Sequence, residues 1–99
     1  MTPHVVIRPE AEADLAEAFA WYEERRPGLG DRFLLSVEAV LAAIERYPES
    51  FPVVYAQVRR ALLRRFPYGV FYTVKESAVV VLAVFHCARE PRRWQERGA

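Results

Sequence analysis

Residues 66–94, FPYGVFYTVKESAVVVLAVFHCAREPRRW, decide the fold because they contain two apolar runs separated by a short polar turn. Residues 69–74 and 78–85 are almost entirely aliphatic, β-branched and aromatic, a composition typical of strands. The tripeptide between them, Lys75-Glu76-Ser77, fits a tight hairpin connection. The pattern therefore predicts two adjacent antiparallel strands at the centre of a sheet.

The second apolar run contains no polar residue on either face. A strand of this kind needs cover on both faces, so we expect it in the interior of the sheet with helices on one side. The run gives way at His86 to a polar segment, residues 86–94, that is dense in arginine. The sequence thus predicts cationic groups where the sheet stops, and it leaves open what covers the second face.

Two amphipathic helices are predicted before the sheet. Pro9 suits the first turn of a helix, because its missing N–H needs no partner there, and acidic residues follow it. Apolar residues then recur at intervals of three and four as far as residues 26–28. A second such pattern starts at Gly30 or Asp31 and ends before Pro48. The short connection between the two helices predicts an antiparallel hairpin, and its apolar face must pack against a sheet.

The remaining segments complete the order β-α-α-β-β-β. Residues 4–8 form a first strand in this interpretation, residues 49–57 a loop, and residues 58–66 a strand with arginines at positions 59, 60, 64 and 65. We expect one α+β domain over residues 1–99, in which a small, mostly antiparallel sheet carries the helical hairpin on one face. Residues 95–99 are expected to fray.

Charge is distributed unevenly along the chain. Residues 1–50 carry five arginines against ten acidic residues, a net charge of −5, whereas residues 51–99 carry nine basic against three acidic residues, a net charge of +6. The half that forms most of the sheet is therefore basic. A basic surface of this kind suits nucleic acid or an acidic protein segment, and charge alone does not distinguish them.

Several classes of protein are disfavoured by composition. The single cysteine, Cys87, excludes an internal disulfide and a metal site built from clustered cysteines. The sequence has no glycine-rich phosphate loop and no histidine cluster with metal-ligand spacing, so we expect no metal and no cofactor. No apolar run approaches the roughly 18 residues that a membrane span requires. We therefore expect a cytoplasmic protein without membrane contact.

Two segments, FPYGVFY at 66–72 and VFHCAREPRRW at 84–94, occur together with RPEA at 8–11, where the first helix starts. With the order of elements, they resemble the RelE/ParE superfamily of toxins from type II toxin–antitoxin modules, closest to the ParE-like, plasmid-stabilisation branch. The resemblance covers residues 4–94. It implies a growth inhibitor that a cognate antitoxin neutralises by wrapping around it, with DNA bound only through the antitoxin.

The resemblance implies two kinds of target. ParE members inhibit DNA gyrase, whereas RelE members cleave mRNA on the ribosome with basic residues before the hairpin, an arginine within it and a late arginine near a tyrosine or histidine. Such groups would remove a proton from the 2′-OH, stabilise the phosphate charge and protonate the leaving oxygen. Arg60 and Arg64 match the first positions, Arg89 matches the late arginine, and His86 is a candidate base. The hairpin arginine is replaced by Gly69, and no tyrosine follows Arg89.

Because two expected groups are missing, we favour a toxin that acts by binding, with gyrase as the target that the resemblance implies, and assign no firm catalytic residue. The predicted target-binding residues are Arg60, Arg64, Arg65, His86, Arg89, Arg92 and Trp94. One alternative is a ribosome-dependent mRNA endoribonuclease that uses Arg60, Arg64, His86 and Arg89. Another is a degenerate, non-toxic module that only binds antitoxin.

Each of these residues also has a structural interpretation. The arginines of residues 58–66 would protect an edge strand from aggregation, since charge on an edge opposes strand pairing between molecules. His86 would bond to backbone at the end of a strand. Trp94 would close the core. The sequence leaves both sets of interpretations open.

Overall fold

The structure, a computed structural model, describes residues 4–88 and 91–98 of the 99-residue chain. Its elements follow in the order β1 (His4–Ile7), α1 (Pro9–Arg25), α2 (Leu29–Arg46), β2 (Val53–Tyr55), β3 (Val58–Leu62), β4 (Tyr68–Lys75), β5 (Ala78–His86) and α3 (Pro91–Gly98). No helix formed by these residues has the length and apolar character needed to cross a bilayer.

The strands form one sheet in the order β1-β5-β4-β3-β2. β1 is parallel to β5, and the other neighbouring pairs are antiparallel. β5 is therefore an interior strand, as its unbroken apolar run predicted. The α+β class, the mostly antiparallel sheet and the helical hairpin are confirmed.

The helical hairpin covers one face of the sheet, called here the hairpin face. Phe33 of α2 contacts Phe66 and Tyr68 edge-on, with ring centroids 5.5 Å and 5.1 Å apart. Tyr72 of β4 is fully buried, and its hydroxyl donates to the carbonyl of Pro48 at 2.6 Å. The core on this face joins buried side chains from both helices, from the sheet and from Leu63, which follows β3: Ala11, Ala18, Tyr22, Phe33, Val37, Ile44, Ala61, Leu63, Val70, Tyr72, Val79, Val81 and Val84.

A C-terminal helix that the sequence analysis did not predict covers the other face, called here the α3 face. Trp94 of α3 is only 7% exposed, and its ring stacks on Phe71 with centroids 4.4 Å apart. The core on this face comprises Val58, Phe71, Leu82, Ala83, Phe85 and Trp94. In place of the frayed end expected over residues 95–99, residues 95–98 belong to this helix, because Trp94 and Arg97 anchor it to the sheet.

Two strand boundaries also differ from the prediction. The strand expected over residues 58–66 ends at Leu62, and Arg65 adopts a positive φ of 70°, which no extended strand contains. Within the loop expected over residues 49–57, Val53–Tyr55 pair with β3 as a short edge strand. β3 is therefore shorter than predicted, and β2 lies outside it as the edge strand of the sheet.

Asp14 of α1 connects the two layers that cover β5. Its Oδ2 accepts a hydrogen bond from the backbone N–H of Val84 at 3.0 Å and another from Nη1 of Arg97 at 2.6 Å. Arg97 also donates to the carbonyl of Leu82 at 3.2 Å. β1 pairs with β5 only as far as Val81. Beyond that residue, Asp14 and Arg97 form hydrogen bonds with backbone groups of β5 that have no neighbouring strand to pair with.

Removing the Asp14 carboxylate should destabilise the domain. Asp14→Ala leaves the Val84 N–H and a partly buried guanidinium without an acceptor, so we expect the free energy of unfolding to fall by about 2–4 kcal/mol. Urea denaturation followed by tryptophan fluorescence measures this change. The matched control is Glu24→Ala on the exposed side of α1, which should change stability by less than about 0.5 kcal/mol. Equal losses in the two variants would contradict the role assigned to Asp14.

The buried tyrosines make stability depend on alkaline pH. Burial raises the pKa of Tyr72 from 10.0 to about 12, although nearby Arg59 acts in the opposite direction. Burial, and secondarily the charge of Tyr68, also raises the pKa of Tyr22. An unfolded chain releases these phenolic protons first, so it binds fewer protons than the folded chain above pH 10. Stability should therefore hold up to about pH 10 and fall between about pH 10 and 12.

The variant Tyr72→Phe tests this expectation. It should lower stability at neutral pH, because the bond to Pro48 is lost, and it should flatten the decline above about pH 10, with the Tyr22 contribution remaining. Urea midpoints of both proteins, measured from about pH 8 to 12, give the two slopes. A variant slope as steep as that of the wild type would show that Tyr72 does not resist ionisation.

Candidate functional site

The predicted site residues lie on three separate parts of the surface. Arg60 lies on the α3 face of the sheet, His86 on the hairpin face, and Arg64 with Arg65 in the loop between β3 and β4. Alternation along the strands and the end of β3 at Leu62 account for this separation.

Arg60 shares the α3 face with Phe71, its register partner on β4, because directly paired residues of antiparallel strands point to the same side. Its stem crosses Gly69, where a β carbon would lie 3.2 Å from Cγ of Arg60. The Nε of Arg60 is buried without a hydrogen-bond partner. Buried polar atoms of this kind are rare in folded proteins and call for an explanation.

Arg59, the preceding residue, has a structural role. Its Nη1 donates to the carbonyls of Glu49 at 3.1 Å and Phe51 at 2.6 Å, which fixes the segment that leads into β2. Arg59 and Arg60 therefore have different environments although they are adjacent in the sequence, because successive residues of a strand face opposite sides of the sheet.

Arg64 and Arg65 are exposed beside α2. The carbonyl of Arg64 accepts a hydrogen bond from Oγ of Ser36 at 3.0 Å, which holds the loop against the helix. Together with Arg32 they border a groove of about 1140 Å³ between α2 and the loop, called here the α2 groove. Leu35 and Leu62 line it and are 63% and 53% exposed. None of the described residues that line the groove is acidic.

His86 ends β5 on the hairpin face, where its ring contacts Tyr68 edge-on at 5.3 Å. Its Nδ1 accepts a hydrogen bond from the backbone N–H of Ala88 at 3.0 Å, so one ring nitrogen already stabilises the turn that follows the strand. The ring also lines a cavity of about 500 Å³ beside α1, with Asp14 and Trp21. This geometry matches the structural interpretation of His86.

The C-terminal residues fall into distinct environments. Arg92 is exposed on α3, whereas Trp94 is buried against Phe71 and cannot reach a partner while α3 stays in place. The predicted Arg89 lies outside the described residues. Arg93, which the sequence analysis did not select, is exposed with Cζ 6.0 Å from the ring centre of Phe85. Without a predicted helix, no sequence signal indicated which way this side chain would point.

Metal ligands are not grouped in the part of the chain that the structure describes. Residues 4–88 and 91–98 contain no set of three or more histidine, cysteine, aspartate or glutamate side chains arranged to hold a metal ion.

Comparison with known proteins identifies the family. Residues 5–91 match the model described as ParE toxin of type II toxin–antitoxin system, parDE. The chain belongs to the ParE toxin family. Toxin ParE2 from two strains of Mycobacterium tuberculosis is 35% identical to this ParE-family chain over 92 residues, which cover 92% of this chain and 88% of the relative. The ParE-like branch indicated by the sequence motifs is thus confirmed.

A solved structure shares the fold of this ParE-family chain. The structure described as the chromosomal ParDE TA system from P. aeruginosa superposes with a TM-score of 0.77 at 17% sequence identity. The match covers 86% of this chain and 96% of that chain. At this identity, the comparison concerns the fold alone.

The placement of Trp94 in the core can be tested against a role in contacting a partner. Trp94→Ala removes a stacked, buried ring, so we expect the free energy of unfolding to fall by about 3–4 kcal/mol. Arg92→Ala, two residues earlier and exposed, should change it by less than about 0.5 kcal/mol. Urea denaturation followed by far-ultraviolet circular dichroism measures both. Unchanged stability in Trp94→Ala would show that the indole is not part of the core.

Proposed function

We propose that this ParE-family chain is a toxin that inhibits growth by binding a protein target, with DNA gyrase as the first candidate, and that a cognate antitoxin neutralises it. Gyrase is the first candidate because characterised ParE members inhibit it. The proposal includes action in the cytoplasm and contact with DNA only through the antitoxin.

The observation that carries the proposal is the separation of the residues that an RNA-cleaving enzyme would need together. A general base and the cations that stabilise one phosphate must all lie within hydrogen-bonding reach of the same substrate. Arg60 and His86 instead lie on opposite faces of the sheet, and Arg64 borders the α2 groove. This arrangement supports binding in preference to cleavage.

The glycine in β4 supports the same conclusion. RelE-type nucleases carry an arginine where Gly69 stands, and the β carbon of an arginine there would crowd the stem of Arg60, which would have to shift by a few tenths of an ångström. A β carbon at Gly69 would lie 3.2 Å from Cγ and 3.4 Å from Cδ of Arg60. The β4 position that carries a cation in those nucleases therefore carries none in this chain.

The α2 groove has the properties of a binding site for an antitoxin segment. Its apolar floor includes Leu35 and Leu62, which a partner would remove from water. Its border carries Arg32, Arg64 and Arg65, which favour a partner with acidic residues beside its apolar ones. An amphipathic, acidic segment combines both features, and segments of this type commonly bind in grooves.

Charge reversal should separate the two proposed surfaces. Arg60→Glu should relieve growth arrest, because it inverts the charge on the α3 face, while the variant still co-purifies with the antitoxin. The double variant Arg64→Glu, Arg65→Glu should keep its toxicity and lose co-purification, since both side chains border the α2 groove. Arg26→Glu, exposed between α1 and α2, is the matched control and should change neither property.

Two assays identify the mode of toxicity. Inhibition of gyrase supercoiling by the purified protein, with intact mRNA after induction, is the expected result. Cuts within codons after induction would instead assign the chain as an mRNA endoribonuclease. Normal growth with neither effect would assign it as a non-toxic antitoxin-binding module. Full growth arrest by folded Arg60→Glu would refute the α3 face as the target-binding surface.

A further inference from the structure

We propose that Arg60 and Arg93 form a binding site for a carboxylate of the target protein, and that Gly69 is a positioning residue that holds Arg60 in this site. The proposal rests on the target-binding function proposed above. It adds the chemistry of the group that is bound and a residue that controls the geometry.

Arg60 forms no ion pair with any of the residues that the structure describes. Its Nε is buried and unpaired, so this edge of the guanidinium has lost water without gaining an acceptor. The two Nη nitrogens are not among the buried unpaired atoms, and no hydrogen bond joins them to the described residues. An anion bound to them would offset the cost of partial burial, since charged acceptors form the stronger hydrogen bonds.

Gly69 permits this position of Arg60. Glycine weakens the interior of a strand, and its presence there often marks a place where another group approaches the backbone closely. Here the approaching group is the stem of Arg60, with Cγ 3.2 Å and Cδ 3.4 Å from the place a β carbon would occupy. Any side chain at this position must displace the stem. Gly69 thus determines where the guanidinium of Arg60 lies.

Arg93 brings a second guanidinium to the same part of the α3 face. Gly69 is paired with Phe85 on β5, and Cζ of Arg93 lies 6.0 Å from the ring centre of Phe85. Arg97 is also near this ring, with Cζ at 4.6 Å, but its guanidinium is paired with Asp14. Arg60 and Arg93 have no acidic partner among the described residues. Two cations that no described acidic residue neutralises therefore flank the Gly69–Phe85 pair.

The surroundings of this site favour a protein carboxylate over a nucleic-acid phosphate. A phosphodiester backbone is bound by a row of cations that follows the strand, whereas this site has two guanidinium groups near an exposed apolar side chain. That side chain is Leu62, which pairs with Gly69 from β3 and is half exposed. Apolar contacts around an arginine–carboxylate pair are typical of protein interfaces.

The anion site can be tested directly on the isolated chain by nuclear magnetic resonance. The Nε–H signal of Arg60, assigned by its loss in Arg60→Lys, should exchange slowly with water because Nε is buried. Sodium acetate should shift this signal, and sodium chloride at equal ionic strength should not. Arg93→Ala should weaken the acetate response several-fold. Absence of an acetate shift would overturn the site, and a shift with inorganic phosphate alone would overturn the carboxylate assignment.

A double-mutant cycle tests whether Gly69 acts through Arg60. Gly69→Val should reduce inhibition of supercoiling about as much as Arg60→Ala, by about ten-fold, and it should accelerate exchange of the Arg60 Nε–H. In the Arg60→Ala background the stem is absent, so Gly69→Val should add no further loss. Gly69→Ala, which demands a smaller displacement, should give a weaker form of the same effects. Losses that add in the double variant would refute the positioning role.

The two proposals fail in different ways. If acetate shifts the Arg60 signal in the wild type but Arg60→Ala remains fully toxic, the anion site exists and its assignment to the target is wrong. If Arg60→Ala loses toxicity without any acetate response in the wild type, Arg60 contacts the target through another chemistry. Thermal unfolding of every variant must match that of the wild type within a few degrees for these comparisons to hold.

Discussion

The hydrogen bonds that Asp14 makes at the uncovered edge of β5 hold this fold together. β1 is too short to accompany β5 along its whole length, so backbone groups beyond Val81 would face the protein interior without partners. Asp14 accepts from one of them, and Arg97 donates to another. Because these residues come from α1 and α3, their ion pair joins the covers of the two faces. α3 is thereby an integral layer of the domain.

The position of α3 decides which arginines remain available for binding. Arg97 is held by Asp14, and Trp94 is buried, so the helix presents Arg92 and Arg93 to solvent. On β3, Arg59 is likewise occupied by loop carbonyls. The charge excess of the C-terminal half therefore does not act as one patch. Among the described residues it is divided between Arg59 and Arg97, whose side chains stabilise the fold, and a larger set of arginines on the α3 face, on α3 and beside the α2 groove.

Periodicity predicted the hairpin of β4 and β5 and both long helices, because their apolar patterns are local and long. It failed for α3, whose sequence PRRWQERG contains one large apolar side chain. That helix depends on the stacking of Trp94 on Phe71 and on an ion pair between residues 83 positions apart, which no local pattern reveals. The motifs predicted the ParE family, but they did not show which way each arginine side chain points. Arg60 lies on β3 and Arg64 lies beyond its end, so the two side chains are on different parts of the surface.

The α2 groove and the α3 face are separate but close along β3, and this bears on how an antitoxin would neutralise the toxin. Leu62 lines the groove and shares the side of β3 that bears Arg60, two residues away. A step of two residues along a strand is about 7 Å, so a segment seated in the groove would need only a short extension to cover Arg60. Neutralisation by direct occlusion is therefore the simplest expectation. An antitoxin fragment confined to the groove that still restored growth would instead require a change transmitted through β3 or α3.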